Sequence, residues 1–300
     1  MNTRLKHFLE NALLTSGAAR IAGRSRRGRT LVLAYHNVLP DGEALTGSAN
    51  LHLPQRDFAQ HLDILGASHD VVPIGEIFEA SSRSTRPRVV ITFDDAYAGC
   101  LTAGVDELSK RGMPATIFTA PGLLGLTPWW DELAEPVTGV VPDDVRDQAL
   151  TELRGQQEMV VGSAPATTHV VQQRRRLPLI GTEPQLAAAA ATPGITLGSH
   201  TWSHPNLCAL DEAEIQSELT RPLEWLRSRF DSAVPWVSYP YGFFNSTVAR
   251  LAANAGYRGA FRIDGGWLPP QESRQLHALP RFGVPFGLSL SGFRLRLAGL

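Results

Sequence analysis

Val89-Val90-Ile91-Thr92-Phe93-Asp94-Asp95 decides the fold. An uncharged, β-branched run that ends abruptly in two carboxylates reads as a strand buried on both faces. Working outward, Leu31 to Tyr35 forms a second buried strand on the N-terminal side. Phe58, His61, Leu62, Ile64 and Leu65 follow at helical spacing, and Val71-Val72 makes a short strand. On the C-terminal side a helix around 98–110 leads to a strand at Ala115 to Phe118. Further strands are expected at Ile195 to Leu197, Trp236 to Tyr239 and Gly259 to Phe261, with helices around 211–229 and 245–255 between them. Strands alternating with helices predict an α/β protein with a parallel sheet, either open or closed as a barrel.

Residues 127–190 break this rhythm. They start at Thr127-Pro128-Trp129-Trp130-Asp131-Glu132, pass a basic triplet at Arg174, Arg175 and Arg176, and end in the alanines 187–191. Their apolar content is thin for a separate core, so they read as an insertion capping one face of the body. The tryptophan pair has two readings: a platform for stacking sugars, or an anchor of the insertion.

Composition narrows the class. The chain has 300 residues, 43% hydrophobic and 19% charged, enough for a substantial core and unlike a disordered chain. A net charge of −1 gives no general attraction to nucleic acid, and two cysteines cannot make a thiolate cage or a disulfide framework. No stretch approaches the ~18 apolar residues of a membrane span. Residues 1–30, however, balance at +6 and the remaining 270 at −7. Leu5, Phe8, Leu9, Ala12 and Leu13 recur at helical spacing, so the start reads as an amphipathic helix with a basic arm. That helix either packs on the body or makes peripheral contact with an anionic membrane surface. It makes a poor secretory signal, and a cytoplasmic location, at the membrane or away from it, is the expectation.

Four segments sit at the ends of expected strands, where loops of parallel α/β architectures converge. Asp94 and Asp95 would repel if both were buried and ionised, which a cation or a shared proton resolves. They could equally be a helix cap followed by a solvated acid. His200-Thr201-Trp202-Ser203-His204 places two imidazoles four residues apart, with Pro205 limiting any helix, so a tight turn must bring them together. With one carboxylate they would make a three-ligand site with open positions, the pattern of a catalytic metal. Tyr239-Pro240-Tyr241-Gly242 could aim a main-chain N–H at an oxyanion, or be an ordinary turn. His36, after Tyr35, is either a catalyst or a hydrogen-bonded core histidine.

Thr92-Phe93-Asp94-Asp95, His200 to His204 and Tyr239 to Gly242, in that order, resemble the leading motifs of the polysaccharide deacetylase family. These are the NodB-homology domains of carbohydrate esterase family 4. Leu31 to His36 and Leu279-Pro280-Arg281-Phe282 are similar to segments of its poly-N-acetylglucosamine and exopolysaccharide branch. The resemblance covers roughly residues 30–285. It implies a distorted (β/α) barrel with an inserted helical segment, built as an arm at 1–30 and a domain at 31–300 carrying the insertion 127–190. It also implies that Asp95, His200 and His204 hold a divalent metal, Zn²⁺ first among candidates. Asp94 would be the base, His36 the acid, and the Tyr241 N–H an oxyanion donor. The expected partner is an acetylated glycan, N-acetyl before O-acetyl, and no nucleic acid.

Ser238 stands where many members of the family carry an arginine that orients the base, and Arg281 is assigned to reach Asp94 in its place. Asp264 either orients His36 or simply makes a turn, and the surroundings of His277 are wrong for the family's usual acid. Other readings of the same residues are a hydrolase of small amides or cyclic ureides, an iron facial triad, and a silent glycan-binding module. A carboxylate beside a full ligand set favours hydrolysis over the last two.

Overall fold

The computed structural model describes residues 3–17, 22–23, 26, 29–78, 86–164, 179–270 and 273–300. Its strands are β1 (Thr30–Tyr35), β2 (Asn37–Leu39), β3 (His52–Pro54), β4 (Asp70–Val71), β5 (Arg88–Phe93), β6 (Ala115–Thr119), β7 (Ile195–Ser199), β8 (Ala233–Ser238), β9 (Gly259–Phe261) and β10 (Phe282–Gly283). Among the described residues these strands pair with one another in parallel; the main sheet runs β10-β1-β5-β6-β7-β8-β9 with β4 also on β5, and β2 pairs with β3.

Side-chain alternation builds two apolar layers from the same strands. Val32, Val90, Phe118, Trp236 and Phe261 cluster on one face. Leu31, Leu33, Val89, Ile91, Ile117 and Leu197 lie on the other, in the larger cluster that includes helical residues such as Phe58 and Leu62. A strand apolar on both faces loses its polar-out alternation, which is why these strands read as continuous runs. The sheet curls until its edges meet at residues 279–283. Leu279 exchanges main-chain bonds with β9, donating to the Ala260 carbonyl at 2.9 Å and accepting from the Arg262 N–H at 3.0 Å. Phe282 and Gly283 pair with β1. The result is the distorted α/β barrel that the family resemblance implies, where strand periodicity alone left the sheet open or closed.

Register then sets the position of the site. Tyr35 pairs with Phe93, Phe93 with Ile117, Thr119 with Ser199 and Ser199 with Val237. Residues 36, 94, 200 and 239 therefore leave the sheet at the same end.

The connection from β6 to β7 carries helices Trp129–Glu132, Asp143–Thr151, Gln157–Ser163 and Glu183–Ala190. Trp129, Trp130, Val141, Leu150, Val160 and Ile180 join the barrel's own outer cluster and form no second core. The N-terminal helix Thr3–Thr15 packs on the C-terminal helix Leu290–Ala298, where Ser289 donates to the Glu10 carboxylate at 2.5 Å. Leu9 and Leu13 face outward, each 45% exposed. Arg20, Arg24, Arg27 and the triplet Arg174 to Arg176 lie outside the described residues. Among the described residues no helix is long and apolar enough to cross a membrane.

One packing contact has a pH signature. His61, on the helix Gln55–Ser68, stacks on Phe293 with centroids 3.9 Å apart and is fully buried. Burial lowers its pKa to about 4. The folded chain thus keeps the ring neutral while the unfolded chain protonates it near its ordinary value, ~6.5. Stability from this group is complete above that value and is lost as pH falls toward 4. Denaturation at stepped pH should show His61→Phe escaping about 3 kcal/mol of the acid destabilisation suffered by the parent chain. Parallel pH profiles for the two would refute the assignment.

Candidate active site

Asp94 continues the alternation of β5, so its side chain points to the same interior as Val90 and Thr92. Its N–H donates to the Tyr35 carbonyl at 2.9 Å, extending the ladder one residue beyond the strand. Arg281 lies wholly buried inside the barrel, its guanidinium 5.5 Å from the Phe118 ring centre and 5.7 Å from that of Phe261. Both of its terminal nitrogens donate to Asp94, Nη1 to Oδ1 and Nη2 to Oδ2, each at 2.7 Å. Nη1 also donates to the Thr92 hydroxyl at 3.0 Å, and Nη2 to the Ser238 hydroxyl at 2.6 Å. Ser238 in turn donates to Asp94 Oδ2 at 3.2 Å. Burial alone would raise the Asp94 pKa. The Arg281 charge and hydrogen bonds, aided by the field of His200, outweigh it and hold the carboxyl well below the usual range.

The next residue turns sharply. Asp95 has φ +68° and Ala96 φ +58°, left-handed backbone in residues with a Cβ. Such torsions cost about 1–2 kcal/mol each. The turn carries Asp95 toward the second motif. There His200 and His204 are joined by a non-helical loop in which Thr201 and His204 are also left-handed, at +64° and +60°. Glu218, from the helix Glu212–Arg229, accepts from the Trp202 and Ser203 N–H groups, each at 2.9 Å, and from the Ser203 hydroxyl at 2.7 Å. Sequence reading missed this brace.

His200 Nδ1 lies 2.7 Å from the Ser238 carbonyl, which can only accept. The proton therefore sits on Nδ1, and Nε2 offers its lone pair. That Nε2 lies 3.4 Å from Asp95 Oδ1, and His204 Nε2 lies 3.3 Å from the same atom. The three ligand-type atoms all fall within 4.8 Å of one another. Asp95 Oδ1 is buried and accepts no hydrogen bond. Burial lowers both imidazole pKa values, and burial, then the charges of Asp94 and Asp131, pushes Asp95 well up. Keeping Asp95 ionised there requires positive charge at the point where two neutral imidazole nitrogens also converge. A divalent cation meets that demand, and two nitrogens with one carboxylate suit Zn²⁺.

These groups open onto a cavity of about 420 Å³ whose lining includes His36, Asp94, Asp95, His200, His204 and Tyr241. His36, between β1 and β2, is half-buried, and burial lowers its pKa to about 4 against the opposing pull of Asp94. Its ring therefore rests neutral, and its conjugate acid is a strong proton donor. Tyr241 occupies a 3₁₀ turn, Pro240–Gly242, at φ +57°. Its hydroxyl accepts from Trp129 Nε1 at 3.1 Å and donates to the His204 carbonyl at 3.3 Å. The turn thereby ties the inserted segment to the second motif.

Other candidates lie elsewhere. Asp264 is exposed, pairs with Arg262 and forms an isolated antiparallel bridge with Phe282, which accounts for it without a part in orienting His36. His277 bonds the Tyr257 carbonyl through Nε2 at 3.0 Å, outside the cavity lining. Trp129 is fully buried and anchors the insertion, whereas Trp130, 5% exposed, also lines the cavity.

The sequence profile of the polysaccharide deacetylase family matches residues 161–260, which hold the second and third motifs. The Bacillus subtilis (strain 168) protein YxkH, assigned provisionally by its name to the polysaccharide deacetylases, is 23% identical over 266 residues. That alignment spans 87% of this chain and 74% of YxkH. Among solved structures, the deacetylase PplD of Streptococcus pyogenes superposes with a TM-score of 0.62 at 18% identity, covering 90% of this chain and 99% of PplD. IcaB of Ammonifex degensii gives 0.61 at 18% identity, covering 90% and 96%. At such identities these two speak for the fold. The profile match over a third of the chain, the YxkH alignment and the shared fold, with the three motifs arrayed at one end of it, make the chain similar to the polysaccharide deacetylases.

Proposed function

We propose that this chain is a divalent-cation-dependent hydrolase that removes N-acetyl groups, in preference to O-acetyl groups, from a polysaccharide or oligosaccharide of the exopolysaccharide type. The supporting observation is the convergence of Asp95, His200 and His204 beside the ionised Asp94 in one cavity. Bound by those three residues, the cation would polarise the acetyl carbonyl and bring the pKa of water toward ~7. Asp94, fixed by the Arg281 fork, takes a proton from the attacking water. The Tyr241 N–H is the donor assigned to the tetrahedral oxyanion. His36, neutral at rest, first takes up a proton, from solvent or relayed from the one Asp94 removes, and then hands it to the departing nitrogen, without which an amine is a poor leaving group. Residues 31–300 act as the catalytic domain, and 127–190 as an insertion within it.

Zn²⁺-loaded protein should release acetate from N-acetylated chito-oligosaccharides. Turnover of small ureides with no acetate release would replace this reading with the small-amide one. His36→Ala should slow the amide reaction by about 10²–10⁴-fold and barely affect an activated acetate ester, whose leaving group needs no proton. Equal losses on both substrates would remove His36 from the acid role.

A further inference from the structure

Metal-binding histidines ordinarily fix their rings by donating the second N–H to an acceptor. His200 does so, to the Ser238 carbonyl. His204 does not: its Nδ1 is buried and finds, among the described residues, no acceptor beyond its own. The ring is held by aromatic packing instead. Trp130 lies 4.6 Å from it, centroid to centroid, and Tyr241 meets it edge-on at 4.7 Å.

Trp130 is itself pinned by a chain of hydrogen bonds whose directions are forced. Its Nε1 can only donate, and it does so to the Tyr97 hydroxyl at 2.8 Å. Tyr97 must then send its own proton onward, to Asp131 Oδ2 at 2.6 Å. The other Asp131 oxygen accepts from the Ser48 N–H at 2.7 Å and faces His52 Nε2 at 3.2 Å. Asn37 Nδ2 donates to His52 Nδ1 at 2.9 Å, so Nε2 carries the proton and donates as well. Asp131 is therefore an acceptor-only hub, fully buried, on which donors from the 3₁₀ approach to β3, β3 itself and the turn after β5 converge.

We propose that Trp130 is a positioning residue for the His204 ligand, locked against its ring by the Tyr97–Asp131 hydrogen bonds. The insertion thus takes the place of the missing acceptor on His204. The inference rests on the cation reading of the preceding section.

Zn²⁺ affinity, measured by competition with a chromophoric chelator, tests it in full-length Tyr97→Phe, Trp130→Phe and the double variant. Each single change should weaken Zn²⁺ by about 10-fold, within the ~10–100-fold range for lost supporting contacts around a metal ligand. The double variant should be no worse than the weaker single one, because both cut the same link. The visible spectrum of the Co²⁺-substituted protein should shift in step, reporting a reoriented ligand, which a general loss of stability would not produce. If Tyr97→Phe does not fold, Trp130→Phe alone carries the comparison. Variants that bind Zn²⁺ as tightly as the parent, or losses that multiply in the double variant, would overturn the proposal and leave the cation site standing. A parent chain that binds no Zn²⁺ would overturn both.

Discussion

Asp94→Asn is expected to retain its bound metal and to lose turnover by about 10²–10⁴-fold, the range assigned to a positioned proton acceptor. An amide cannot take the water's proton, yet all three proposed ligands remain. The change also has a structural side. In the parent chain both Asp94 oxygens accept from Arg281. In the variant one guanidinium N–H must face the amide NH₂, leaving a buried donor unpaired at about 1–3 kcal/mol. Acetate release, metal content and denaturant midpoint should be measured together. Turnover within tenfold of the parent would end the assignment of Asp94 as base, whatever happened to stability.

Arg281→Met should give the largest loss of stability. The guanidinium is wholly buried and supplies the charge that offsets Asp94. Removing one partner of a buried pair leaves the other uncompensated, at about 3–5 kcal/mol. At ~2–4 °C per kcal/mol for chains of this general size, the melting midpoint should fall by about 10 °C or more. Arg281→Lys keeps the charge and cannot fork onto two oxygens, so it should fall between the two. Combining Arg281→Met with Asp94→Asn removes the stranded charge, and the double variant should be more stable than Arg281→Met alone. Denaturation curves for the three variants decide this. Arg281→Met within about 1 kcal/mol of the parent would mean the fork carries no structural weight.

The elements that were legible in the sequence are those with local signals. Val89 to Phe93 reads as a strand because both of its faces are apolar, and the strand-end positions of Asp94 and His200 follow from that reading. The turn at His200 to His204 follows from Pro205. Placing Arg281 beside Asp94 needed more, since those residues are 187 positions apart and meet only because the chain closes the barrel through residues 279–283. The family resemblance suggested that approach; periodicity could not. The Asp131 hub carried no local mark. Its acid follows two tryptophans in a segment that reads as a cap, while its partners Ser48, His52 and Tyr97 come from three other places. Glu218 was hidden differently, as one acid among several on an amphipathic helix, and only the folded loop supplies the N–H groups it accepts. The two readings of Trp129 and Trp130 were inseparable in the sequence, because aromatic residues at the start of an insertion look alike whether they face the core, as Trp129 does, or a cavity wall, as Trp130 does.

Left-handed torsions at Asp95, Ala96, Thr201, His204 and Tyr241 put unrelaxed backbone at each of the three motifs. Selection for thermal tolerance would find little to gain safely there, because relaxing any of these bends re-aims a side chain or an N–H that the site uses. Its easy gains should accumulate on the solvent faces of the outer helices, which can drift in sequence while the five bends stay put.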